Sequence, residues 1–97
     1  MDFEIYTTEV FDTWFASLKD QSVKRKLLAR FTRLMHGNFG DFKKIDVGLF
    51  ELRFFFAGGL RVYYTRQDKR IILLLTGGDK STQRKDILKA KSLLEDL

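Results

Sequence analysis

The run Leu49-Phe50-Glu51-Leu52-Arg53-Phe54-Phe55-Phe56-Ala57-Gly58-Gly59-Leu60-Arg61-Val62-Tyr63-Tyr64-Thr65 decides the fold. Its first part, Leu49–Phe56, is rich in Phe and alternates around Glu51 and Arg53. Its second part, Leu60–Thr65, alternates Leu60, Val62 and Tyr64 against Arg61, Tyr63 and Thr65. A two-residue period marks a strand, and Ala57-Gly58-Gly59 supplies the glycines of a hairpin turn. Downstream, Gln67-Asp68-Lys69 is a second turn and Ile71–Leu75 reads as a buried central strand. Upstream, Phe42–Asp46 is a short strand and Val47-Gly48 its turn. Strands joined by tight turns predict an antiparallel meander.

The flanks change period. Phe3, Ile5 and Thr7 alternate with Asp2, Glu4 and Tyr6, which predicts a first strand. Thr8 then caps a helix in which Val10, Phe11, Trp14, Phe15 and Leu18 recur at helical spacing, to about Lys19. Asp20 or Ser22 opens a second helix, and Val23, Leu27, Leu28, Phe31, Leu34 and Met35 mark its buried stripe. Gly37-Asn38 stops it. The two helices are expected to form an antiparallel hairpin. Beyond the meander, Gly77-Gly78 breaks the chain and Asp79 or Ser81 caps a last helix, buried along Ile87, Ala90, Leu94 and Leu97. The order is βαα–ββββ–α, an α+β domain with its helices expected on one face of the sheet. Residues 1–97 form one domain, since 97 residues leave no room for a second.

Composition narrows the chemistry. The chain is 44% hydrophobic with ten Phe, enough to build a core rather than a disordered segment. There is no Cys, which removes disulfides, thiolate metal sites and Cys nucleophiles. His36 is the one His, so paired-His zinc sites are excluded and a Ser-His-Asp triad is a poor fit. No cofactor or metal is expected. No apolar run approaches a membrane span, and the acidic, alternating N-terminus is not a signal peptide. The absence of Cys fits a bacterial type of cytoplasm, and a cytoplasmic protein is the expectation.

Charge is segregated. The net charge is +5, yet residues 1–22 carry Asp2, Glu4, Glu9, Asp12 and Asp20 against Lys19 alone. The basic excess lies downstream and is densest between Lys24 and Lys44. Lys26, Arg30 and Arg33 fall at i, i+4 and i+7, on one helix face expected to be exposed. Such a field attracts polyanions, nucleic acid first, and suits a solvated helix face equally well.

Glu51 and Arg53 share one strand face, and Arg61 and Tyr63 share one face of the next strand. Two arginines, a tyrosine and a glutamate on one side would make a cationic patch. A plain cross-strand Glu–Arg pair, worth about 0.2–1 kcal/mol, fits the same spacing. Gly77-Gly78-Asp79-Lys80-Ser81-Thr82 follows a strand and opens a helix, where Lys80 would add charge to an anion-favouring helix start. The G-x-x-x-x-G-K-[ST] spacing is missing, so no nucleoside-triphosphate loop is expected.

Four blocks carry a family resemblance: Gly37-Asn38-Phe39-Gly40-Asp41, Glu51-Leu52-Arg53, Arg61-Val62-Tyr63-Tyr64, and Leu73-Leu74-Leu75-x-Gly77-Gly78-Asp79-Lys80-x-x-Gln83-x-x-Asp86-Ile87-x-x-Ala90. The chain resembles, from about Ile5 to Leu94, the phage-type (Gp49-like) HigB group of addiction-module killer proteins in the RelE/ParE toxin superfamily. The resemblance implies a compact RelE-like fold. It implies the toxin of a type II toxin–antitoxin pair, acting as a metal-independent, ribosome-dependent mRNA endonuclease. It also implies a helix-turn-helix (HigA-like) antitoxin, with operator DNA met only through the toxin–antitoxin complex. Cleavage would proceed by attack of an RNA 2′-OH on the adjacent phosphate. On that reading Arg53 and Arg61 bind phosphate and stabilise transition-state charge, and Lys80 adds a phosphate contact or an acid. Glu51 acts as a base or orients Arg53, and Tyr63 stacks on a base. Lys43, Lys26, Arg30 and Arg33 contact RNA. The best-studied nucleases of the superfamily carry a Tyr or His near the C-terminus; this chain ends Lys89-Ala90-Lys91-Ser92-Leu93-Leu94-Glu95-Asp96-Leu97 and has neither. Two other activities suit the same superfamily: a ParE-like inhibitor of DNA gyrase, and a non-catalytic relative that only binds its antitoxin.

Overall fold

Strand β1 (Glu4–Thr7) leads into helices α1 (Glu9–Ser17) and α2 (Gln21–Met35). Four strands follow, β2 (Phe42–Asp46), β3 (Leu49–Arg53), β4 (Arg61–Arg66) and β5 (Ile71–Gly78), and then helix α3 (Gln83–Glu95). This is the expected α+β order, seen in a computed structural model that describes residues 2–97. Local chemistry sets the helix starts. Thr8 holds an extended backbone and its hydroxyl oxygen accepts the Phe11 N–H at 3.0 Å. The same hydroxyl donates to the Leu75 carbonyl at 2.6 Å, tying the start of α1 to β5. Asp20 caps α2 by accepting the Ser22 N–H at 2.8 Å.

The sheet runs β1-β5-β4-β3-β2. Strands β2 to β5 form the antiparallel meander, and β1 adds to β5 in parallel, Ile5 opposite Ile72 and Thr7 opposite Leu74. A parallel pair needs a long crossover, which the helices and the whole meander supply.

The helices do not share one face. Leu52, Val62, Tyr64, Ile72 and Leu74 pack with Phe11, Leu27, Phe31 and Leu34 from α1 and α2. Leu49, Tyr63, Leu73 and Leu75 pack with Ala90 of α3, flanked by Ile87 and Leu94. Both parities of β3, β4 and β5 are buried, so each face needs cover, and α3 crosses to the second one. The expectation of one helical face is corrected on that ground. Three expected core residues also lie outside it. Leu28 and Met35 sit at the margin of the α2 stripe and are exposed, and Leu97 is exposed beyond the end of α3.

The ends of β3 and β5 differ from expectation too. β3 stops at Arg53 rather than running to Phe56. The Phe54 N–H still donates to the Leu60 carbonyl at 3.0 Å, after which Ala57, Gly58 and Gly59 take φ of 51°, 75° and 76°. Three successive left-handed residues turn the chain out of the ladder, at a cost for Ala57, which carries a Cβ. Gly77 and Gly78, by contrast, do not break the chain but close β5. A bulge shifts the register between Tyr63↔Thr76 and Tyr64↔Leu74, re-aiming the end of the strand. A Cβ on Gly77 would lie 2.5 Å from the Trp14 ring, and one on Gly78 would land on the Asp86 carboxylate. The two glycines are required by close approach from opposite faces.

Gly77→Ala is therefore expected to lower the unfolding free energy by about 1–3 kcal/mol, the usual penalty of overpacking. Most of the penalty disappears in a Trp14→Leu background. Urea unfolding of the four variants checks this, and an equal cost in both backgrounds contradicts it.

Candidate functional site

The register of β3 and β4 places Glu51 opposite Tyr63 and Arg53 opposite Arg61. Directly opposed residues share a face, so these four side chains form a square on the side covered by α3. Lys43 on β2 extends the Glu51 row to the exposed sheet edge, and Gly78 on β5 extends the arginine row inward. Arg53 and Arg61 are like charges set side by side, an arrangement that costs stability on its own.

Glu51 is 0% exposed. Its Oε2 accepts a hydrogen bond from the Gln83 amide of α3 at 2.9 Å. Its Oε1 lies 3.8 Å from Arg53 Nε, an ion pair beyond hydrogen-bond length. Arg61 is 7% exposed; its Nη1 donates to the Gly59 carbonyl at 2.8 Å, and its buried Nε has no protein partner. Arg53 differs in keeping its side chain 39% exposed, so part of its guanidinium faces solvent. The square thus presents one reachable cation, one nearly buried cation and, beside them, a buried carboxylate.

Tyr63 is fully buried, and burial first, then the neighbouring Glu51 carboxylate, raises its pKa. It remains a phenol, and neither ring face is open to a nucleobase. The expected stacking role of Tyr63 is corrected by that burial. Glu51, equally buried and held by Gln83, fits the orienting role and not that of a base reaching solvent.

Lys80 opens a short 3-10 turn, Lys80–Thr82, between β5 and α3. Its N–H donates to the Gly58 carbonyl at 3.3 Å, docking this turn against the β3–β4 loop. A Cβ on Gly59 would lie 3.1 Å from Arg61 Nη1 and 3.4 Å from Lys80 Cβ, so Arg61 and Lys80 flank one glycine. Asp79 caps the turn, accepting from the Ser81 hydroxyl at 2.5 Å and the Ser81 N–H at 2.8 Å. These bonds, with the Thr82 N–H, hold the Asp79 carboxyl below its usual range. Asp86 of α3 accepts from the Thr82 hydroxyl at 2.5 Å.

Lys26, Arg30 and Arg33 lie elsewhere. They border an open groove of about 390 Å³ between α2 and the β3–β4 loop, on the other side of the sheet, which Arg53 also lines. Lys26 and Arg33 are exposed, as expected, but Arg30 is half-buried. Its guanidinium donates to the carbonyls of Asp41 at 2.8 Å, Arg53 at 3.2 Å and Phe39 at 3.3 Å. Burial, then neighbouring Arg33, lowers its pKa. His36 caps the C-terminus of α2 and meets Asp2 at 3.1 Å.

Sequence reasoning did not assign roles to Gln83 and Asp86. Both stood in the glycine-aspartate-lysine pattern, but the Gln83–Glu51 bond spans 32 residues, a separation no local period reveals.

The sequence matches the model of the family described as Phage derived protein Gp49-like (DUF891) over residues 13–95. The chain belongs to the Gp49-like family. It is also 48% identical over 97 residues to an uncharacterized protein of Haemophilus influenzae, spanning 100% of this chain and 98% of that one. The Gp49-like family is toxin-like, which suggests an antitoxin partner. Among the described residues of this Gp49-like chain, no helix is long and apolar enough to cross a membrane.

Gln83→Ala leaves one oxygen of a buried carboxylate without its donor, and is expected to cost about 1–3 kcal/mol. In a double-mutant cycle with Glu51→Leu the two losses couple by at least about 0.5 kcal/mol. Denaturant unfolding measures the cycle, and simple additivity contradicts the pairing.

Proposed function

We propose that this Gp49-like protein is the toxin of a type II toxin–antitoxin pair and cleaves mRNA on the ribosome. The observation that carries the reading is the cross-strand pair of Arg53 and Arg61 beside the buried Glu51. Opposed arginines suit a shared anionic ligand, and a phosphodiester has two oxygens to offer them.

In the proposed reaction the RNA 2′-OH gives its proton to solvent water and its oxygen attacks the adjacent phosphorus. The P–O2′ bond forms and the P–O5′ bond breaks. The products are a 2′,3′-cyclic phosphate and a 5′-OH that has taken up a proton. Negative charge builds on the non-bridging oxygens in between, and fixed cations in a partly dry site stabilise it. Arg53, with its open side, binds the phosphate. Arg61, held by the Gly59 carbonyl, contributes a pre-oriented charge. Lys80, across Gly59 from Arg61, is the group proposed to meet the phosphate or protonate the departing 5′-oxygen. Arg53 and Arg61 serve here as fixed charges and hydrogen-bond donors to the phosphate. Glu51 positions Arg53.

A helix-turn-helix antitoxin is the proposed inhibitor, and operator DNA is met through that complex. Action on translating ribosomes places the toxin in the cytoplasm.

Arg53→Ala is expected to lower cleavage of translated mRNA by at least about 100-fold, the scale of losing one transition-state donor. Arg61→Ala behaves alike where circular dichroism shows it folded. Primer extension on a reporter message after brief induction reads the cuts. Growth arrest with intact message contradicts the reading and points to gyrase. Antitoxin binding without any arrest leaves a purely binding protein.

A further inference from the structure

Three consecutive phenylalanines follow Arg53, and the fold treats them differently. Phe54 is buried, with the Arg30 guanidinium 4.9 Å from its ring centre. Phe56 is half-buried, with Lys26 Nζ 4.9 Å from its ring centre. Phe55 between them is 89% exposed, with no aromatic or cationic partner among the described residues. A single exposed Phe is ordinary on a protein surface. This one has a specific setting. The left-handed run at Ala57, Gly58 and Gly59 fixes the loop that carries it, and a positive φ at the non-glycine Ala57 is a conformation held at a cost. It also rims the groove between α2 and the loop, where Lys26, Arg30, Arg33 and Arg53 outnumber Asp41. Arg53 joins the two sides at the end of β3: its carbonyl accepts from Arg30 beside the groove, while its side chain stands in the square on the opposite face, so groove and candidate site meet at this one residue.

We propose that this groove holds single-stranded RNA leading to the cleaved phosphate, with the Phe55 ring stacking on a nucleobase and Lys26 and Arg33 meeting the flanking phosphates. A free aromatic face beside a basic channel is the combination that binds single strands without needing a particular sequence. Arg30 is a positioning residue in this scheme. Its hydrogen bonds to the Phe39, Asp41 and Arg53 carbonyls hold the 39–41 loop and the end of β3 against α2. The 39–41 loop admits it because a Cβ on Gly40 would lie 2.7 Å from the guanidinium. The proposal deepens the nuclease reading and rests on it for the identity of the ligand.

The test is direct binding without ribosomes. Fluorescence anisotropy with a labelled, 2′-O-methylated single-stranded RNA of ~10 nucleotides compares wild type, Phe55→Leu and Phe55→Tyr. Phe55→Leu is expected to bind roughly tenfold more weakly, and Phe55→Tyr to restore affinity, because stacking needs a ring. An oligonucleotide with abasic sites is expected to bind wild type as weakly as the intact one binds Phe55→Leu. Absent binding by wild type, equal affinity of Phe55→Leu, or equal affinity of the abasic strand each overturns the proposal. So does a Phe55→Leu variant that keeps RNA affinity and loses a protein partner, which makes the loop a protein contact. Base-dependent binding by a wild type that cuts no message supports the groove and removes the nuclease reading alone.

Discussion

Burying a carboxylate inside a sheet is costly unless donors and a counter-charge meet it. Glu51 imposes that requirement at the centre of this molecule. Gln83 answers from α3 and Arg53 from two residues along the same strand. The first contact anchors the start of α3 on the second face of the sheet. The second draws one arginine toward the carboxylate while its neighbour across the ladder, Arg61, is turned to the Gly59 carbonyl. The paired guanidiniums are thereby kept in different environments, one partly open and one nearly buried.

The surrounding chain is shaped to let these contacts close. The bulge near the end of β5 brings Gly77 under Trp14 and Gly78 under Asp86, and the absence of side chains there lets α1 and α3 approach the sheet from opposite sides. The Asp79 cap starts the turn that carries Lys80 to the β3–β4 loop. On the far side of the sheet, Arg30 does for the groove what Gln83 does for the square. One long side chain from a helix satisfies backbone carbonyls of two separate segments and fixes them to each other.

Much of this architecture was legible in the sequence. The alternation in Arg61–Thr65 and the helical spacing of Leu27, Phe31 and Leu34 follow from local geometry, and the elements appear where those periods place them. The placement of Arg53 beside Arg61 was legible as far as strand parity goes. The rest depends on partners distant in the chain. The parallel addition of β1 to β5 leaves no local mark, and the second helical face was hidden because Glu51 and Arg53 make the Leu49 side of β3 look solvent-facing. The Phe54-Phe55-Phe56 run is apolar at both parities, which predicts more strand, whereas Phe54 is buried, Phe56 packs at the core's margin and Phe55 is exposed. Strand parity alone leaves Tyr63 open to stacking, but α3 packs over its face of the sheet, and the role of Gln83 depends on a carboxylate 32 residues away on β3.

The most direct test of the account is side-chain NMR of the Arg53 Nε–H in wild type and in Glu51→Gln. The buried Nε and the neighbouring carboxylate predict a resolved signal protected from water exchange in wild type. In Glu51→Gln the backbone spectrum is expected to stay folded while that signal averages or exchanges away. An Arg53 signal unchanged by the loss of the Glu51 charge would contradict the claim that the buried carboxylate holds Arg53 in place.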